Sequence, residues 1–156
     1  MPRNIREELE KIAPVSVEGM DRFIRAHGQT LKDISLLRHN KFPRIPDAVI
    51  WPETHEQVVE IVECASRHRF VIIPFGGGTS VSGAVTCPSN ERRPILVLDT
   101  SEMNSILWLD KEQLLARVQS QTRCHLSVEG CDLSLQRAAT HPGARHQRNE
   151  LHAVAG

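Results

Sequence analysis

The chain has 156 residues, 40% of them hydrophobic, which suits one core and the size of one domain or a part of a larger one. Its 19 basic and 19 acidic side chains cancel to a net charge of +0, so no strong field points to nucleic acid or an acidic membrane surface. No apolar run approaches the ~20 residues of a membrane-spanning helix, and the charged opening MPRNIREELEKI lacks the apolar centre of a secretory leader.

The N-terminal third reads as short helices. Asn4 and Glu7 have the spacing of a capping box, and Ile5, Leu9 and Ile12 mark one helical face that Pro14 closes. A second helix is expected over 21–26, stopped by Gly28. Thr30 caps a third, LKDISLLRH, with Leu31, Ile34 and Leu37 on adjacent turns. Glu18, Asp21 and Asp33 read as surface charges of these helices. Pro43, Pro46 and Pro52 then forbid a continuous helix, and DAVIW between them reads as a short buried strand.

THEQVVEIVECASRHR carries the clearest helical signal. Thr54 and Gln57 form a capping box, and Val58, Ile61, Val62 and Ala65 make the apolar stripe. FVIIP follows, β-branched and apolar, as expected of a central strand covered on both faces. After a glycine loop comes the polar stretch TCPSNERRP, then a second buried strand, ILVLD. SILWL and LLARVQ, joined by DKEQ, suggest a β-hairpin. This order fits an α+β or α/β domain with one βαβ unit. Past Gln119 periodicity fades, and the tail reads as poorly ordered.

The glycine loop, PFGGGTSVSG, is the chemical signal. Consecutive glycines tolerate φ > 0 and let a ligand approach the backbone. Successive N–H groups in such a turn make an anion-binding nest, and Thr79, Ser80 and Ser82 add hydroxyls. A diphosphate suits this loop. No lysine follows as in a P-loop, and the G-x-G-x-x-G spacing is missing. The strand before it and the hydroxyl run after it favour a cradle over a plain turn.

Other constellations are weaker. His55–Glu56 begins like a zincin motif but lacks the second histidine, so His55 reads as an exposed first-turn residue. Cys124, Cys131, His141 and His146 can be drawn as a zinc site, but the Cys–Cys gap is too long for a standard knuckle. No metal site and no catalytic carboxylate pair or Ser–His–Asp set is expected. Trp51 and Trp108 read as packing residues. Cys64, Cys87, Cys124 and Cys131 are spread unevenly, which predicts reduced thiols in an intracellular protein.

The stretches RIPDAVIWPETHEQVVEIV, IIPFGGGTSVSG and CPSNERRPILVLDTSEMNSILWLD resemble the FAD-binding domain of the alkylglycerone-phosphate synthases, also called alkyldihydroxyacetonephosphate synthases. These belong to the vanillyl-alcohol-oxidase-type flavoproteins. The resemblance runs from about Met20 to about Gln119. It implies an α+β fold: an incomplete FAD-binding PCMH-type subdomain over 43–119, preceded by a helical segment over 1–42 and followed by a divergent tail over 120–156. It implies FAD as cofactor, bound non-covalently, with Pro74, Phe75, Gly76, Gly77, Gly78, Thr79, Ser80 and Ser82 at its diphosphate. The family exchanges the acyl chain of acyl-dihydroxyacetone phosphate for a fatty alcohol, without net redox change, in peroxisomes and as a possible homodimer. A fragment of an FAD-linked 2-hydroxy-acid dehydrogenase and a non-catalytic interaction module are the alternatives. The family's second set of FAD contacts and its cap domain with a catalytic tyrosine do not appear after Gln119, and the chain has no tyrosine. This chain alone is therefore expected to be inactive, with the tail an alternatively spliced or frame-altered segment. The terminal AVAG is not a peroxisomal address of the SKL type.

Overall fold

In the computed structural model of the protein, residues 1–39, 41–110, 113 and 115–121 are described. Three short helices come first: α1 (Arg3–Leu9), α2 (Gly19–Ile24) and α3 (Leu31–His39), with the two-residue strand β1 (Val15–Ser16) between the first pair. Then follow β2 (Ala48–Ile50), α4 (His55–His68), β3 (Val71–Phe75), β4 (Ile95–Asp99), and the hairpin of β5 (Ile106–Asp110) and β6 (Leu115–Val118). This is the mixed α/β content expected from the sequence. The divergent tail from residue 122 onward and the zinc-like set Cys124, Cys131, His141 and His146 lie outside the described residues.

The main sheet has the order β1-β2-β4-β3, with β1 antiparallel and the other three strands parallel. β2–α4–β3 is the predicted βαβ unit, and β4 inserts between its two strands. FVIIP is therefore not central, contrary to the sequence reading. It borders the sheet among the described residues, while all five residues of β4 are buried. Pro74 explains the placement, because a strand residue without an N–H fits where no ladder bond is needed.

Period-2 alternation divides the core between the two faces of the sheet. Ala48, Ile50, Leu96 and Leu98 pack with Ile5 and Leu9 of α1 and with Ile61, Cys64 and Ala65 of α4. Val49, Ile95 and Val97 point the other way and pack with Ile73, Val85 and Cys87. Cys87 thus belongs to the core, though its neighbours in sequence are polar, and burial pushes its thiol up to about 11. Cys64 and Cys87 are both free thiols, as expected.

The helices differ from expectation in three details. Pro2, not Asn4, precedes α1 at its N-cap, so the predicted capping box does not form, and Glu7 instead accepts from Arg3 Nε at 2.8 Å. In α4 the capping box of Thr54 and Gln57 is present, but Cys64 takes the buried position expected of Val62, which is 52% exposed. In α3 the polarity is inverted: Leu31 is 88% exposed, whereas Asp33, read as a surface charge, is 1% exposed. Thr30 does cap that helix, accepting the Asp33 N–H at 2.9 Å. No helix among the described residues is long and apolar enough to cross a membrane.

Candidate functional site

The three parallel strands end on the same side, where open α/β sheets place their ligands. β3 ends at Phe75, in register with Asp99 of β4, and the Thr100 N–H donates to the Phe75 carbonyl at 3.0 Å. From Phe75 the chain runs directly into Gly76, Gly77 and Gly78. The glycine loop therefore sits at the carboxyl end of FVIIP, as the sequence predicts.

Glycine is required at Gly78 and closely approached at Gly76. Gly78 has φ of +69°, and a Cβ there would lie 3.0 Å from the ring of Phe75, which fills the underside of the turn. A Cβ on Gly76 would lie 2.3 Å from Nε2 of Gln121. Gln121 reaches this position because the β5–β6 hairpin returns its chain to Met103, whose carbonyl accepts the Gln121 N–H at 3.0 Å. Among the described residues, no N–H of residues 76–82 donates to a protein acceptor. A run of unspent backbone donors, with only the Thr79 methyl as near as 4.0 Å to a Cβ position on Gly77, is what an anion-binding nest needs. Ser80 and Ser82 bring their hydroxyl oxygens within 3.3 Å of one another, while Pro74 and Thr79 are exposed. The residues fit the diphosphate of a dinucleotide cofactor.

The turn before α3 braces this loop. The Ser80 carbonyl accepts the Gln29 N–H at 2.8 Å. Asp33 accepts the Gly28 N–H at 3.3 Å and the Thr86 hydroxyl at 3.0 and 3.2 Å. Its carboxylate thus ties both sides of the contact together. Burial pulls the Asp33 carboxyl upward, but the hydrogen bonds from Thr30, Thr86 and Gly28 outweigh burial and leave it below the ordinary aspartate value.

A second buried carboxylate stands at the end of β4. Asp99, 2% exposed, accepts from Arg25 Nε at 2.5 Å, from Trp51 Nε1 at 3.1 Å and from the Ser101 N–H at 2.9 Å. The Arg25 guanidinium also lies 4.9 Å from the centroid of the Trp51 ring. α2 is thereby fastened to the ends of β2 and β4. Trp51 is more than a packing residue, whereas Trp108 is half exposed on β5. His55 is exposed on the first turn of α4, as expected.

Sequence reasoning missed Gly28, Asp33, Asp99, Arg25 and Gln121. Thr30 three residues before Asp33 is a local capping signal, but the partnership with Thr86 spans a distance that no short motif records.

A sheet of this topology, with a nest at a parallel strand's carboxyl end, defines a cofactor-binding α/β domain. The family model described as "FAD binding domain" matches residues 46–145. The chain belongs to this FAD-binding family, and FAD is its cofactor. It is similar to an alkyldihydroxyacetonephosphate synthase of Caenorhabditis elegans, with 43% identity over 105 residues, 67% of this chain and 18% of that protein. A glycolate oxidase subunit, GlcD, of Bacillus subtilis is 40% identical over 79 residues, 51% of this chain and 16% of that one. A solved alkyldihydroxyacetonephosphate synthase structure superposes with a TM-score of 0.70 and 28% identity, over 74% of this chain and 22% of that chain. The chain spans less than a fifth of the length of these two curated relatives.

Proposed function

We propose that this chain is the FAD-diphosphate-binding part of an ether-lipid enzyme, one that exchanges the acyl chain of acyl-dihydroxyacetone phosphate for a fatty alcohol. The observation that carries the FAD role is the glycine turn at the end of β3, with its unspent N–H groups and its left-handed Gly78. Pro74 and Phe75 bring the strand to the turn, Gly76, Gly77, Gly78, Thr79 and Ser80 hold the diphosphate, and Ser82 supports it with a hydroxyl. FAD, when bound, supplies an electrophilic flavin that serves as an electron sink. The chain's own part is to grip and orient the cofactor.

The longer match to a synthase, 105 residues against 79 for the glycolate oxidase subunit, favours alkyl exchange over hydroxy-acid oxidation. The complete enzyme then acts in peroxisomes and as a homodimer, while the 156-residue chain lacks the groups for turnover. A full-length polypeptide carrying this segment should incorporate labelled fatty alcohol into alkyl-dihydroxyacetone phosphate and release fatty acid. Turnover of glycolate or lactate instead would overturn the substrate assignment and leave the FAD role standing.

A further inference from the structure

We propose that Glu8, Cys64 and His68 form a site for a zinc-like divalent metal ion at the seam between α1 and α4. Cys64 and His68 stand four residues apart on α4 and so share one face of it. Glu8 approaches that face from α1. One ligand atom from each of the three lies within 4.8 Å of the others. The His68 Nε2 and a Glu8 carboxylate oxygen are already 2.8 Å apart. Tetrahedral bonds of about 2.0–2.2 Å to nitrogen and oxygen and about 2.3 Å to sulfur set the ligand atoms about 3.4–3.6 Å apart, so the His68–Glu8 pair opens slightly and the wider side of the triangle closes.

The surroundings suit a metal ligand set. Arg67 holds the other Glu8 oxygen at 2.5 Å, so the carboxylate is oriented with one oxygen toward His68, as outer-sphere partners orient ligands elsewhere. Cys64 is fully buried, and His68 is 28% exposed, which leaves the imidazole side open to an entering ion. Thiolate and imidazole together select zinc or cobalt over calcium or magnesium. Three protein ligands leave a fourth position for water. Binding exchanges two protons for the metal: the Cys64 S–H proton leaves to solvent as the sulfur–metal bond forms, the hydrogen bond from His68 Nε2–H to Glu8 breaks as the Nε2 proton passes to Nδ1 or to solvent, and nothing is oxidised. The site would fasten α1 to α4 on the face of the sheet opposite Val85 and Cys87. It is distinct from the glycine loop and independent of the FAD reading.

The test is a cobalt(II) titration, under reducing conditions, of the whole chain with Cys87, Cys124 and Cys131 replaced by serine. This background removes every other thiol. The expected result is a thiolate-to-cobalt charge-transfer band in the near ultraviolet that disappears when Cys64→Ser is added. His68→Ala, at a partly exposed position, should keep the far-ultraviolet circular dichroism of the parent while weakening zinc binding by about tenfold or more. Zinc should raise the Tm of the parent and not that of His68→Ala. Absence of the band in the folded background protein, or zinc affinity unchanged by His68→Ala, would overturn the proposal and leave a plain ion-pair cluster around Glu8.

Discussion

Gly28 and Ser80 meet with no room between them. A Cβ added to Gly28 would lie 2.3 Å from the Ser80 carbonyl oxygen, the oxygen that also accepts the Gln29 N–H. The obstacle is backbone, which cannot swing aside as a side-chain end can. Gly28→Ala should therefore force the turn before α3 away from the glycine loop, at a cost of about 1–3 kcal/mol from overpacking. Urea unfolding of the variant measures this. Unchanged stability would show that the two segments separate freely.

Asp33 is the electrostatic half of the same brace. Replacing it with alanine leaves the Thr86 hydroxyl and the Gly28 N–H without their acceptor and should cost about 2–3 kcal/mol. The pH dependence follows from its lowered carboxyl. In the unfolded chain the group titrates near the ordinary aspartate value of 3.8, and in the folded chain it titrates lower. Its stabilisation is thus complete above the unfolded value and fades as the pH falls through the folded one. Denaturation from pH 7 downward should show a loss of stability in the parent that is smaller in Asp33→Asn.

Asp99 anchors α2 to the strand ends through Arg25 and Trp51. Asp99→Ala leaves the largely buried Arg25 guanidinium with only the Asp21 carboxylate, 3.7 Å away, and should cost about 3 kcal/mol. Trp51→Phe keeps the ring beneath Arg25 but loses one hydrogen bond, and should cost about 1 kcal/mol. Thermal unfolding of the two variants orders them. A larger loss in Trp51→Phe would mean that the ring's packing, and not the carboxylate, fastens α2.

The two capping boxes read from the sequence make a paired test. Thr54 accepts the Gln57 N–H, and the Gln57 side chain reciprocates. Thr54→Ala should cost about 1 kcal/mol. Asn4→Ala should leave stability nearly unchanged, because no side chain caps α1.

What the sequence made legible was local. The α4 cap, the strands DAVIW, FVIIP and ILVLD, the hairpin and the glycine turn each announce themselves within a dozen residues. The order of the strands does not, because β4 enters the sheet between two strands that precede it in the chain. FVIIP and ILVLD are equally apolar, and only Pro74 hints at which one borders the sheet. Asp33 misleads for a related reason. Its helix exposes Leu31 and buries the aspartate, and that inversion makes sense only once Gly28, Thr30 and Thr86 gather around the carboxylate. Gln121 falls in the tail by sequence, because periodicity ends at Gln119, yet the hairpin's return carries it to Gly76.

The glycine turn as a diphosphate cradle is tested most directly by titrating the whole chain with FAD and with riboflavin, following flavin fluorescence. Riboflavin lacks the diphosphate. The chain should bind FAD, riboflavin should bind at least about tenfold more weakly for want of charge-assisted hydrogen bonds, and Gly78→Val should erase the difference while far-ultraviolet circular dichroism stays that of the parent. A folded chain that takes up no FAD, or that binds both flavins equally, would contradict the assignment of the loop.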